Sequence, residues 1–231
     1  GVGYKITNGK TTKDLSIQFS VGQKVAPEEL EDLQATELPK SFVIDGVEVP
    51  TDVIERRFDL SVREVAIEDQ LEAAAPRKAA VNPVRPGVSI GHPTISAGTL
   101  GCVVFDAETG APYVLSNWHV LSGAQGQIGD AIVQPGRHDD DRISRNLVGK
   151  LVRSHLGVAG DCAVATIDSR RLDGEILELG VAVKRIGEAE LGDRVVKSGR
   201  TTGVTFGVVQ RVHVTAKINY RGHGEEQIGC F

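Results

Sequence analysis

The stretch YVLSNWHVL, residues 113–121, decides how the rest of the chain is interpreted. It opens with apolar, β-prone residues, which predicts a strand. His119 then follows between the large hydrophobic side chains of Trp118 and Val120. A histidine delivered at the end of a strand is in a position to act as a general base, provided that a carboxylate lies beside it.

A second stretch, GDCAVATI at residues 160–167, places Asp161 at the start of another apolar, β-prone run, 42 residues after His119. A carboxylate beside an imidazole holds the ring in one tautomer and stabilises the imidazolium that forms on proton uptake. The two residues together therefore predict a catalytic pair. Taken singly, each also fits a structural role, since a histidine among apolar residues is commonly a core residue and an aspartate opening a strand commonly belongs to a turn.

A third stretch, VVKSGRTTGVTFGVV at residues 195–209, follows VLSNWHVL and GDCAVATID in order. Together they resemble the trypsin-like (chymotrypsin-fold) serine peptidases, in particular the bacterial type related to the plant Narrow leaf 1 type. The resemblance covers roughly the whole chain and is strongest from about Gly98 onward. The order of histidine before aspartate also fits that fold.

The resemblance implies a mostly β chain with a chymotrypsin-like double β-barrel. It implies His119 as the general base and Asp161 as the acid that orients it, acting on a polypeptide substrate. No metal and no organic cofactor is implied. The competing interpretation is a non-catalytic, peptidase-like module that binds peptides.

The family also requires a serine in a Gly-Asp-Ser-Gly-Gly-like turn whose N–H groups form the oxyanion hole, and the sequence contains no such turn. Ser198 lacks the preceding glycine and reads as a strand end. Cys230 follows a glycine but is not followed by residues that could build the turn, and Cys162 reads as a small core residue. We therefore predict a fragment cut at both ends, with an incomplete second barrel, which lacks the nucleophile segment and is inactive alone.

Length and composition narrow the function classes. The chain has 231 residues and a net charge of −5, so it lacks the excess of basic residues expected of a protein that binds nucleic acid. No apolar run approaches the ~20 residues that span a bilayer. Three widely separated cysteines do not indicate a disulfide framework, which favours a cytoplasmic over a secreted protein.

The chain divides into three predicted parts. Residues 1–60 read as a small α+β module with hairpin turns at Asn8-Gly9 and Asp45-Gly46 and a helix beginning near Pro27. Residues 61–87 read as a helix, over 63–74, and an extended Pro-rich linker. Residues 88–231 form the truncated trypsin-like domain.

Within that last part, the pattern makes three further predictions. The acidic run in 137–142 could bind calcium through its carboxylates, but it lacks the alternating pattern of a calcium loop and is predicted to be a solvated charged loop. Val204 to Val214 reads as one long strand with a bulge at Gly207. His213 on it is predicted to be an exposed strand residue, with a substrate-pocket role as the alternative.

Overall fold

The computed structural model describes residues 1–58, 76–220 and 222–230, and the described chain is mostly β. The helix predicted over 63–74 lies outside the described residues. The division into three domains stays a prediction. No helix in the described ranges has the length and apolar character needed to cross a bilayer.

The N-terminal residues form an antiparallel hairpin, a short helix and a second hairpin. The elements are β1 (Val2–Thr7), β2 (Lys10–Val21), α1 (Pro27–Leu30), β3 (Ser41–Ile44) and β4 (Val47–Glu55). Both hairpin turns fall where the sequence predicts them, with positive φ at Asn8 and Gly9 and at Asp45 and Gly46. Positive φ at both central residues matches the right-handed twist of the flanking strands.

The central part holds the main core and consists of a five-stranded antiparallel sheet and a separate two-stranded pair. Its elements are β5 (Ser89–Ile90), β6 (Gly98–Thr99), β7 (Cys102–Phe105), β8 (Pro112–Ser116), α2 (Trp118–Leu121), β9 (Ala131–Val133), α3 (Ile143–Asn146), β10 (Leu147–Gly157) and β11 (Gly160–Ala165). The strand order is β7-β8-β11-β10-β9. Alternate residues of these strands, such as Val114 on β8 and Ala163 and Ala165 on β11, point into a core shared with Ile90 and Leu100.

The Pro-rich segment at 76–87 differs from the predicted extended linker. Val84 is fully buried in the hydrophobic core and forms a β-bridge with Leu172. The guanidinium of Arg77, which is 4% exposed, donates to the hydroxyl of Ser198 and to the carbonyl of Gly87. Prolines set an extended backbone in a free linker and in a packed segment alike, so the local pattern does not distinguish the two.

The C-terminal part consists of hairpins that do not merge into one sheet. Its strands are β12 (Glu175–Ile176), β13 (Val181–Ala182), β14 (Arg194–Gly199), β15 (Gly203–Val208), β16 (Arg211–Val212), β17 (Val214–Tyr220) and β18 (Gly224–Cys230). The pairs are β12-β13, β14-β15 and β17-β18, while β16 joins β1 at the edge of the N-terminal sheet. The predicted mostly β class is confirmed, and the arrangement is consistent with a double barrel that is not closed.

The predicted continuous strand from Val204 to Val214 is wrong. β15 ends at Val208, β16 pairs with β1 instead of β14, and His213 between β16 and β17 has a φ of 51°. His213 is exposed, as predicted, but it lies at a bend. Gly207 stands opposite Val195 in regular register, so no bulge occurs there.

Candidate active site

His119 lies on a single helical turn that directly follows the strand β8. Asn117 is still extended, and its carbonyl accepts the N–H groups of Val120 and Leu121, which starts the turn. Val120 and Leu121 are buried in the core. The helical geometry consequently leaves the side chains of Trp118 and His119 half-exposed.

Asp161 reaches His119 because of the register between β8 and β11. Ala163 pairs with Ser116 in the antiparallel ladder. Asp161 precedes Ala163 by two residues. In an antiparallel arrangement it therefore lies beside Trp118, which is two residues after Ser116 and begins the helical turn. The amide of Asn117 donates to the backbone carbonyl of Asp161 at 3.0 Å and links the two segments at that point.

The two predicted site residues are in direct contact. Nδ1 of His119 lies 2.5 Å from Oδ2 of Asp161, and the backbone N–H of His119 donates to Oδ1 at 3.3 Å. The side chain of Asp161 is 9% exposed and that of His119 is 32% exposed. The imidazole therefore bridges a buried carboxylate and the protein surface.

The carboxyl of Asp161 is held in its charged form. Burial alone would raise its pKa, but the hydrogen bonds from the ring and backbone of His119, the charge of that ring and the hydroxyl of Tyr220 outweigh burial and lower the pKa. An ionised carboxylate can only accept, so Nδ1 of His119 carries a proton, and in the neutral ring Nε2 then keeps the lone pair. This is the tautomer in which Nε2 can act as a base.

Tyr220 is a third member of the site that sequence reasoning missed. Its hydroxyl donates to Oδ2 of Asp161 at 3.1 Å, and its ring lies 6.0 Å from that of His119. The rings of Trp118 and Tyr220 are nearly perpendicular, with their centroids 5.9 Å apart. No local pattern marks Tyr220, because it ends an ordinary alternating strand 59 residues after Asp161.

The hydroxyl and thiol groups considered as nucleophiles lie elsewhere. Oγ of Ser198, at the end of β14 as predicted, donates to the carbonyl of Leu177 and accepts from Arg77. Burial raises the pKa of the Cys162 thiol, and the charge of Asp161 raises it further, so it stays protonated. Cys230 lies in β18 opposite Val214. The hydrogen bonds of the Ser198 hydroxyl thus go to Leu177 and Arg77 and not to His119.

The acidic run in 137–142 is only in part the solvated charged loop that the sequence predicts, since four of its six residues are exposed and Asp139 and Asp140 are not. Asp139 is 4% exposed on its side chain and is paired with Arg200, whose side chain is 8% exposed. Asp140 accepts the guanidinium of Arg142, and its pKa is lowered. The part of the chain that the structure describes contains no group of three or more His, Cys, Asp or Glu side chains arranged to hold a metal ion.

No family model and no curated protein matches the chain. Solved structures similar to it include three proteases. One is a glutamic acid specific serine protease described as using a histidine triad in substrate binding, with 23% identity, a TM-score of 0.43, and 62% of this chain and 69% of that chain covered. The second is the Nocardiopsis protease NAPase, with 20% identity, a TM-score of 0.45, and 63% and 69% covered. The third is protease A of Thermobifida fusca, with 18% identity, a TM-score of 0.45, and 63% and 68% covered.

Proposed function

We propose that this chain carries the general base and the orienting acid of a trypsin-like serine endopeptidase, of the bacterial type related to the plant Narrow leaf 1 type. The observation that supports the proposal is the 2.5 Å contact between Nδ1 of His119 and Oδ2 of Asp161. A buried carboxylate that accepts from Nδ1 directs the basic Nε2 toward the exposed side of the ring.

The reaction that this pair serves is acyl transfer from a peptide bond. Nε2 of His119 takes the proton of a serine hydroxyl while the oxygen attacks the peptide carbonyl, and the resulting imidazolium gives the proton to the leaving amine. Water then attacks the acyl-enzyme with the same base. Asp161 stays ionised throughout and stabilises the imidazolium, which burial would otherwise disfavour.

The proposal assigns the serine and the oxyanion donors to residues outside this sequence. Ser198 is already hydrogen bonded to Arg77 and Leu177. The thiol of Cys162 lies beside a carboxylate that keeps it protonated. We accordingly propose that residues 1–231 alone do not hydrolyse peptides.

A peptide-binding module without catalysis is the second candidate. The observation that favours it is that the hydroxyl of Ser198, the serine considered as a nucleophile, is hydrogen bonded to Arg77 and Leu177 and not to His119. In that case the pair would act as a buried polar contact that joins β8 and β11. The two candidates differ in whether a reactive serine accompanies His119.

The test is fluorophosphonate labelling of the protein made from the complete reading frame. The peptidase proposal expects one labelled serine, with labelling strongly reduced in His119→Ala and Asp161→Asn. His155→Ala is the matched control, because His155 is an exposed histidine on β10 and should label like the wild type. Labelling that is equal in His119→Ala and wild type, or no reactive serine in the complete protein, would overturn the proposal.

The same protein preparations distinguish the peptide-binding module from the peptidase. Binding of unlabelled peptides by the complete protein, measured by calorimetry with intact peptide recovered afterwards, supports a binding module. Recovery of cleaved peptide supports the peptidase.

A further inference from the structure

The carboxylate of Asp161 receives a hydrogen bond from a residue that belongs to neither catalytic segment. The hydroxyl of Tyr220, at the end of β17, donates to Oδ2 at 3.1 Å. Tyr220 is 1% exposed and is among the largest fully buried side chains of the described chain. A buried phenol is commonly paired with an acceptor, and here the acceptor is the oxygen that also binds Nδ1 of His119.

The β17–β18 hairpin holds Tyr220 at this place. The N–H of Gly229 on β18 donates to the carbonyl of Val158, in the turn between β10 and β11. Asp161 follows that turn directly, so the hairpin docks next to the acid. The Tyr220 ring also contacts Trp118 and His119, at centroid distances of 5.9 and 6.0 Å.

The donors to the carboxylate come from two independent parts of the fold. Two of them, the backbone N–H and Nδ1, belong to His119 itself. Among the described residues, Tyr220 supplies the hydrogen bond to the carboxylate from outside the histidine segment. Donors from two sides fix the carboxylate more firmly than donors from His119 alone, because a rotation of its plane would break a bond on one side or the other.

We propose that Tyr220 is a positioning residue that fixes the plane of the Asp161 carboxylate and shares its charge, so that the acid orients His119 without rotating away. This proposal rests on the proposed function of the His119–Asp161 pair. Tyr220 acts through Asp161, since its side chain is buried and its hydroxyl donates to the carboxylate. The hydroxyl, and not the ring, carries the effect.

The test is the variant Tyr220→Phe in the 231-residue chain, followed by nuclear magnetic resonance. Loss of one donor to the charged form raises the pKa of Asp161, because its hydrogen bond from Tyr220 lowers that pKa in the folded protein. We expect the titration midpoint of the Asp161 carboxyl carbon to rise, because the charged carboxylate loses one of its donors. The resonance of the Nδ1 proton of His119 should shift downfield, because Oδ2 then no longer accepts from Tyr220 and binds that proton more strongly.

The matched control is Tyr113→Phe, which removes a phenol hydroxyl on β8 that is not hydrogen bonded to Asp161 in the described structure. It should leave both resonances at their wild-type positions. If Tyr220 had only a packing role, Tyr220→Phe would leave both resonances unchanged too, since phenylalanine keeps the ring and its packing. Wild-type positions of both resonances in Tyr220→Phe would overturn the proposal.

A second measurement keeps the test informative if Tyr220→Phe does not fold. The chain has three tyrosines, so 3-fluorotyrosine incorporated into a Tyr4→Phe, Tyr113→Phe background labels Tyr220 alone. The more acidic phenol donates a stronger hydrogen bond and should lower the Asp161 midpoint, opposite in sign to the phenylalanine variant. An unchanged or raised midpoint would contradict the proposal. Neither measurement depends on peptide hydrolysis, so failure here leaves the proposed function standing. Failure of labelling would remove the catalytic meaning of the assignment but would leave the hydrogen bond from Tyr220 to Asp161 measurable by these resonances.

Discussion

The guanidinium of Arg200 is bound by both carboxylate oxygens of Asp139, with Nε of Arg200 2.7 Å from Oδ2. Both side chains are less than 10% exposed. Arg200 follows β14 and its N–H also donates to the hydroxyl of Thr99. This pair therefore ties the C-terminal β14–β15 hairpin to the loop after β9 in the central sheet.

Removing one member of this ion pair should destabilise the protein strongly. In Asp139→Asn the guanidinium stays buried without its counter-charge, and breaking a buried pair in this way costs about 3–5 kcal/mol. We expect the free energy of unfolding, measured by urea denaturation, to fall by about 3 kcal/mol in this variant.

Asp141→Asn is the control for that experiment, since Asp141 is an exposed acid of the same loop. It should change the free energy of unfolding by less than about 0.5 kcal/mol. The double variant Asp139→Leu, Arg200→Met should be more stable than Asp139→Asn, because it leaves no unpaired charge. A loss below about 1 kcal/mol in Asp139→Asn would show that water reaches the pair.

Asp106 should contribute stability that disappears in acid. The backbone N–H of Thr109 comes first among the groups that lower its pKa to about 2, followed by the hydroxyl of Thr109 and the guanidinium of Arg153. A group with a lowered pKa in the folded state adds stability that is fully present above its unfolded pKa of about 3.9. That contribution is lost as the pH falls from about 4 toward 2.

The measurement is the thermal midpoint of unfolding between pH 5 and pH 2 for the wild type and Asp106→Asn. The thermal midpoint of the wild type should fall further over this pH range than that of the variant, and the two curves should converge near pH 2. Asp45→Asn, at a hairpin turn with a φ that asparagine also accepts, is the control. Parallel curves for wild type and Asp106→Asn would contradict the prediction.

The sequence was sufficient for features that depend on neighbouring residues. The Asn8-Gly9 and Asp45-Gly46 turns follow from the need for positive φ at consecutive positions. The pairing of His119 with Asp161 was predicted because His119 follows one β-prone stretch and Asp161 opens another. The structure brings them into contact through the antiparallel register of β8 and β11.

Features that depend on distant partners could not be predicted. The acids at 139–141 look alike locally, and only the approach of Arg200, 61 residues later, buries Asp139. Tyr220 enters the site through docking of the β17–β18 hairpin near Val158, which no local pattern encodes. The apolar run from Val204 is divided because β16 pairs with β1, more than 200 residues away.

Gly229 should be required for the docking of the β17–β18 hairpin. A Cβ at this position would lie 2.4 Å from the carbonyl oxygen of Val158, which is closer than any normal contact. Gly229→Ala should therefore displace the hairpin and lower the free energy of unfolding by about 1–3 kcal/mol. It should also move the Nδ1 proton resonance of His119, because Tyr220 lies on the same hairpin.

Gly207→Ala is the matched control on the β14–β15 hairpin, where the added Cβ would lie 3.4 Å from Val195, an ordinary contact. This variant should leave the His119 resonance unchanged. If Gly229→Ala were as stable as Gly207→Ala and kept the wild-type resonance, the hairpin would not be held by the close approach to Val158.

Asp161→Asn should reverse the tautomer of His119 while leaving the fold intact. An asparagine amide that donates to Nδ1 moves the ring proton to Nε2, which then cannot accept the proton of a nucleophile. In the complete protein, we expect kcat for peptide hydrolysis to fall by a factor on the order of 10⁴, with little change in KM. In the 231-residue chain, the nitrogen chemical shifts of the His119 ring should show the proton moving from Nδ1 to Nε2, whereas Asp14→Asn on β2 should leave them unchanged. A kcat within tenfold of the wild type, or unchanged ring shifts, would mean that Asp161 does not set the state of the base.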